Sequence, residues 1–260
     1  MTEAVQPRWM SPKALMSFLE NSGPSGLEAL THYVRPSMER RGIDGLTSKL
    51  MQHLDPETVH HIAWLIAKSE TGAVLFWNGT SCRLILPPFP VSEDTQSPRW
   101  DPGPLQRILE SEYLIGVLLL RLGRYAVGVY QGRTLLASKV ATKFVHGRHR
   151  AGGSSQARFA RRREKQAHEL YYKACRELQE RFTPFKETLD YIFLGGEKTT
   201  LESFQQRCPF LAKLSNRVLQ RRLDVREPTQ RALVQLPAEL WGSWVYTVAI
   251  SPLEGRTAFG

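Results

Sequence analysis

The residues best equipped for chemistry crowd into one stretch, HGRHRAGGSSQARFARRRE, residues 146–164. Gly152 and Gly153 tolerate backbone angles closed to other residues and let a chain enter a narrow space. Backbone N–H groups exposed in such a segment can act as donors to an anion. Gln156 follows, with a carboxamide that both donates and accepts hydrogen bonds. It takes up no proton at neutral pH, so it is no general base. It can hold a water, or brace the charge that develops as an ester breaks. Around it stand Lys143, Arg148, Arg150, Arg158, Arg161, Arg162, Arg163 and Lys165, against the single acid Glu164. That density of positive charge suits phosphates and makes binding depend on salt. The residues by themselves leave two readings open. One is a solvated basic loop; the other is a loop that acts on a substrate supplying most of the functional groups.

Other constellations carry less. His146 and His149 share the same loop, where nothing in the sequence orients an imidazole. Ser154 and Ser155 lack the GxSxG setting of a nucleophile elbow. LGGEKTTL, residues 194–201, lacks the glycine spacing of a phosphate loop and reads as a strand-to-helix turn capped by Thr199 or Thr200. His53, His60 and His61 are not spaced i, i+4, so no metal site is expected there. Asp190 and Asp224 stand alone, and residues 105–225 hold no acidic cluster for two-metal chemistry. Cys82, Cys175 and Cys208 are far apart and form no CxxC pair, so neither a zinc site nor a disulfide framework is expected, which fits a reducing compartment. No metal and no cofactor is implied.

The elements that must position this stretch follow from periodicity. Residues 1–70 read as mostly helical pieces. SPKALMSFLENSG has an N-cap at Ser11 and a stop at Gly23. SGLEALTHYVRP reads as a second helix ended by Pro36. DPETVHHIAWLIAKSETG starts at Asp55 and Pro56 and aligns Val59, Ile62, Ala63 and Ile66 on one face. AVLFWN and CRLILP form a hairpin. The proline-crowded segment 87–104 reads as a linker, which divides the chain into an N-terminal accessory region, 1–104, and a second domain, 105–260.

After the linker, YLIGVLLLRL, RYAVGVYQ and RTLLASKVATKFV form a three-strand meander turning at Gly123 and Gly132. The first is almost wholly apolar and reads as a central strand. The basic loop leaves the end of the third strand. A helix from about Gln156 to Phe182 then places Ala160, Ala167, Tyr171, Ala174 and Leu178 on one face, and Arg158, Arg161, Arg162 and Lys165 on the other. Its N-terminal turns already carry the positive end of the helix dipole, so basic side chains there serve an outside anion better than helix stability. LDYIFLGG, TTLESFQQR, RVLQRRLDV, EPTQRALVQLPAEL and SWVYTVAI continue as strand, helix, strand, helix and strand. A meander followed by alternating elements predicts a mixed α/β sheet with packed helices.

Composition sets the outer bounds. A hydrophobic fraction of 42% is enough to build a core. The net charge of +10 points to an anionic partner. No apolar run approaches a membrane span, and the first twenty residues lack the apolar core of a signal peptide, so a cytoplasmic protein without membrane association is expected.

The run GGSSQARFARRREKQA, residues 152–167, resembles the peptidyl-tRNA hydrolase and release-factor family of ribosome rescue. That family includes the eukaryotic ankyrin-repeat and zinc-finger hydrolase and its prokaryotic relatives. Their catalytic domain is similar in turn to the middle domain of the eukaryotic peptide-chain release factor. The resemblance covers residues 112–225, and the pattern GGxSQxRFARRRE is similar to that of actinobacterial-type members. It implies a ribonuclease-H-like α/β fold without nuclease acids, acting as a monomer on the large ribosomal subunit and peptidyl-tRNA. It makes Gln156 the catalytic residue, with Gly152 and Gly153 giving access. Arg148, Arg150, Arg158, Arg161, Arg162 and Lys165 become candidates for rRNA or tRNA phosphates. The release factor uses Gly-Gly-Gln, whereas here two serines separate the glycines from Gln156. Two alternatives stay open: cleavage near the tRNA 3′ end, which the ribose 2′-OH makes accessible without a metal, and a non-catalytic ribosome- or RNA-binding factor.

Overall fold

The computed structural model describes residues 7–23, 29–36, 46–47, 50–51, 54–79, 81–142 and 155–249. The chain forms two units, one of Met1–Ser111 with Ala238–Gly260 and one of Glu112–Pro237.

The second unit is built on the predicted meander. Strands β6 (Leu114–Arg121), β7 (Arg124–Gln131) and β8 (Thr134–Thr142) pair antiparallel. Their turns use Gly123 at φ +98° and Gly132 at φ +53°, angles that glycine adopts without a Cβ penalty. Strand β9 (Tyr191–Gly196) lies parallel to β6, and β10 (Val218–Leu223) parallel to β9. The spatial order is β10-β9-β6-β7-β8. A central strand flanked by an antiparallel meander on one side and parallel strands on the other is the ribonuclease-H-like sheet. Asp190 fixes the parallel register: its carboxylate accepts from the Leu114 N–H at 2.8 Å, and its own N–H donates to the Leu114 carbonyl at 2.9 Å.

A 28-residue helix, Ser155–Phe182, covers one face of this sheet. At 1.5 Å per residue it is about 42 Å long. Leu170, Tyr171, Ala174, Leu178 and Phe182 are buried against Leu114, Leu118, Leu120, Tyr125, Val127 and Val129. The helix Lys198–Gln205 adds Leu201 and Phe204 to the same core. On the opposite face the Tyr130 hydroxyl donates to the Leu233 carbonyl at 2.7 Å, which holds the short helix Gln230–Gln235. Cys175, midway along the long helix, is joined to Cys208 by a disulfide with Cα atoms 5.5 Å apart. This corrects the expectation of unpaired cysteines. Thirty-three residues separate the two in sequence, and only the packing of helix on sheet brings them together.

The first unit departs further from expectation. It holds a six-stranded antiparallel sheet, in the order β1-β11-β4-β3-β2-β5. Its strands are β1 (Pro7–Met10), β2 (Leu30–Val34), β3 (Ala73–Trp77), β4 (Ser81–Leu86), β5 (Thr95–Ser97) and β11 (Ser243–Ala249). The hairpin β3–β4 is as predicted. Residues 30–34 are a strand rather than part of a helix, because LTHYV is β-branched and aromatic and finds β3 and β5 on its two sides. The region is therefore sheet-based rather than mostly helical. Helices Pro12–Asn21 and Gly103–Glu110 bury Leu15, Leu19, Leu105 and Leu109 on one face. Helix Pro56–Lys68 buries Val59, Ile62, Leu65 and Ile66 on the other. Ser11 and Asp55 cap as expected, accepting from Ala14 at 3.4 Å and Thr58 at 2.9 Å.

The proline-crowded segment is packed structure rather than a free linker. β5 lies within it, Phe89 and Val91 are buried, and the Thr31 hydroxyl donates to the Arg99 carbonyl at 2.7 Å. The last strand also lies elsewhere than expected. SWVYTVA forms β11, between β1 and β4 of the first unit, not in the domain that carries the basic loop. The chain thus leaves the first unit near residue 111, builds the second, and returns after residue 237.

Candidate active site at the root of the basic loop

The site is framed by two roots. One is the end of β8, where Thr142 pairs with Arg124 of β7 and Ala141 with Tyr125. The other is the first turn of the helix Ser155–Phe182. Gly152, Gly153, Arg148 and Arg150 lie outside the described residues, as do His146, His149 and Ser154. Gln156 has its backbone in the first helical turn, while its side chain lies outside what is described.

The basic stripe behind Gln156 is placed. Arg158, Arg161, Arg162 and Lys165 are exposed and Arg163 is half-buried. None of the four forms an ion pair with another described residue; the neighbouring acid Glu164 lies 3.9 Å from His168 instead. Uncompensated guanidinium groups sit in the first three turns of a long helix, where the unpaired backbone N–H groups already make the field positive. The arrangement can hold phosphates and repels cations. The buried stripe of the same helix locks this presentation: Tyr171, Ala174 and Leu178 face the sheet, so the arginines a half-turn away face outward.

Three contributors to this end of the sheet were not singled out from sequence. The β6–β7 turn places Arg121 and Leu122 in solvent, Leu122 being 47% exposed. Arg124 pairs with Glu227 at 3.2 Å. A signal was available: in a three-strand meander the first turn and the end of the third strand lie on the same side. The helix also carries a buried carboxylate, Glu177, which accepts from the half-exposed Arg181 one turn on at 2.8 Å, next to Tyr125. Burial first, then the Glu177 carboxylate, pushes the Tyr125 phenol above its usual range, so it stays a neutral hydrogen-bonding group.

The remaining candidates take structural places. At LGGEKTTL, Gly196 turns the chain at φ +132° and Glu197 is the N-cap residue of the helix Lys198–Gln205. The Thr200 hydroxyl donates to the Glu197 carboxylate at 3.1 Å, which corrects the expectation that Thr199 or Thr200 caps. His60 bonds the Pro56 carbonyl at 2.7 Å and His61 stacks on Trp64; His53 lies outside the described residues. Among the described residues, no three His, Cys, Asp or Glu side chains are grouped to hold a metal ion, and no helix is long and apolar enough to cross a membrane.

The second unit is thus a ribonuclease-H-like sheet with an arginine-faced helix covering it. Residues 113–245 match the model of the Actinobacteria/chloroflexi VLRF1 release factor family, and the chain belongs to that family. The chain is also 35% identical over 103 residues to peptide chain release factor subunit 1 of Archaeoglobus fulgidus, an alignment covering 40% of this chain and 25% of that protein. With the corresponding subunit of Thermococcus sibiricus it shares 26% identity over 202 residues, covering 72% of this chain and 46% of the relative. The chain therefore spans between a quarter and about half of the length of these relatives. A crystal structure of the archaeal translation termination factor aRF1 aligns with a TM-score of 0.37 and 15% identity, covering 89% of this chain and 73% of that one.

Proposed function

We propose that the protein is a peptidyl-tRNA hydrolase of ribosome rescue, releasing nascent peptides from stalled large ribosomal subunits in the cytoplasm. The observation that carries this reading is the exposed stripe of Arg158, Arg161, Arg162 and Lys165, which follows the glycine pair and Gln156 in sequence. Membership of a release factor family supports it. In this reading the stripe, with Arg148 and Arg150, grips rRNA or tRNA phosphates, and the glycine-rich segment carries Gln156 to the ester. Gln156 orients a water through its carbonyl oxygen and donates an N–H toward the charge that builds on the carbonyl oxygen. Water oxygen bonds to the acyl carbon, the bond from that carbon to the ribose oxygen breaks, and a proton ends on the ribose oxygen. The proton moves through groups of the RNA and solvent, since a carboxamide is no base.

Single-turnover release from purified large subunits carrying peptidyl-tRNA tests this. Gln156→Ala should slow release by about 10²- to 10³-fold, the usual loss for one donor in a preorganised site, with subunit binding retained. Full release by that variant would overturn the assignment. The tRNA terminus is analysed in the same reaction: an intact 3′ end marks ester hydrolysis and a shortened one marks RNA cleavage. Arg161→Glu with Arg162→Glu should weaken subunit binding and flatten its salt dependence, by a slope of about one per lost phosphate contact. A factor that only anchors would lose binding in this pair and keep its behaviour in Gln156→Ala.

A further inference from the structure

Two tyrosines stand side by side in the middle of the long helix Ser155–Phe182 and face opposite ways. Tyr171 is 6% exposed and lies edge-on to Phe204, with ring centroids 6.3 Å apart. Tyr172 is 70% exposed, more than any other large hydrophobic side chain among the described residues. Core packing accounts for the first ring and asks nothing of the second. Tyr172 comes seven residues after Lys165 and eleven after Arg161. Helical period brings it within about 20° of each around the axis, about 10 Å beyond Lys165. The ring therefore stands in line with the arginine stripe, and Lys173 follows it. Residues 158–176 hold seven Lys and Arg against Glu164 and Glu169. Glu164 lies 3.9 Å from His168, and Glu169 has a partner of its own. Arg176 is taken by Glu180 at 3.3 Å. Lys165 and Lys173, which bracket Tyr172, are exposed and form no ion pair with a described residue.

We propose that Tyr172 is a stacking platform for an unpaired base of the bound RNA, with Lys165 and Lys173 on phosphates to either side. This rests on the reading of the helix face as an RNA surface, and it extends that surface from Lys165 to Lys173. Cations alone do not tell paired from unpaired RNA, since both expose phosphates. A ring does. In a duplex each base face is covered by its neighbours, whereas a splayed base offers one to an aromatic side chain. Every base has such a face, so position 172 selects single-stranded or looped RNA rather than a sequence. An acidic peptide would satisfy the lysines, but its carboxylates would meet the negative face of the ring.

Fluorescein-labelled oligouridylate of about ten nucleotides, and a blunt RNA duplex of the same length, are titrated with the whole protein at one salt concentration and followed by anisotropy. Tyr172→Ala should bind the single strand about 5- to 150-fold more weakly, the loss of one stacked base, and the duplex no differently. Tyr172→Phe should restore single-strand binding, because the ring and not the hydroxyl carries the contact. Lys173→Ala should weaken both RNAs and lower the salt slope by about one. Unchanged binding in Tyr172→Ala or in Lys173→Ala would overturn the proposal, and so would an equal loss for strand and duplex in Tyr172→Ala. A polyglutamate peptide that bound in a Tyr172-dependent way would overturn it in favour of an acidic protein. Peptide release by the unsubstituted protein is assayed alongside. Release together with oligouridylate binding indifferent to Tyr172 sinks this proposal alone; Tyr172-dependent binding without release sinks the hydrolase reading alone.

Discussion

Two glycines decide how much freedom individual side chains have, and they do so with different consequences. At Gly116 a Cβ would lie 2.5 Å from Cζ of Phe182, the fully buried last residue of the long helix. That ring sits in a closed core and cannot retreat without displacing its neighbours. Gly116→Ala should cost about 1–3 kcal/mol, the range for overpacking a core, measured by urea unfolding. At Gly242 a Cβ would lie 2.0 Å from the ring of Trp9. The overlap is larger, yet Trp9 is 37% exposed and packs edge-on against Trp244, with ring centroids 5.2 Å apart. Gly242→Ala should therefore cost less than Gly116→Ala and red-shift tryptophan emission as Trp9 swings into water. The reverse ranking would mean that depth of burial does not set the penalty. At this scale the sequence was most legible where the signal is local. Ser11 and Asp55 announce their helices because a cap acts within three residues, and the arginine stripe is visible because helical period alone puts it opposite Tyr171 and Leu178.

Elements are legible when their neighbours in sequence are also their neighbours in space. The meander β6–β7–β8 met that condition, and so did the β3–β4 hairpin. β2 did not: its partners β3 and β5 begin about forty and sixty residues further along. Isolated, a short run such as LTHYV fits either period, and pairing across those distances decides it. The disulfide was hidden for the same reason. It ties the middle of the helix that presents the arginines to the segment just before Pro209–Ala212. Closing a loop of 33 residues in the unfolded chain should stabilise the second unit by roughly 3–4 kcal/mol on the chain-entropy model. Unfolding in urea with and without dithiothreitol, and of Cys175→Ser with Cys208→Ser, measures this. Equal midpoints in all three would show that the cross-link does not brace the helix.

On the scale of the whole molecule, the second unit interrupts the first. Among the described residues, its core, from Leu114 to Val218, lies wholly within Glu112–Pro237. Residues 112–237 produced alone should therefore fold cooperatively. The first unit has no such independence from its distant end, because β11 fills the place between β1 and β4. A chain stopped at residue 237 should keep the second unit and open the first. Cys82 reports on this directly. It is fully buried in β4, and burial pushes its thiol up from 9.0 to about 12, so in the intact protein it stays protonated and shielded from iodoacetamide at pH 8. In the shortened chain it should be alkylated within minutes. The same shift sets a sign for pH. An unfolded chain releases this proton near 9.0 and the folded one only near 12, so the thiol favours folding fully below pH 9 and progressively less as pH rises toward 12. Cys82→Ala should flatten that alkaline loss in the first unit while leaving the second unit's curve unmoved. A shortened chain whose Cys82 still resists alkylation would show that β4 keeps its shelter without β11, and that the return of the chain after residue 237 does not close the first sheet.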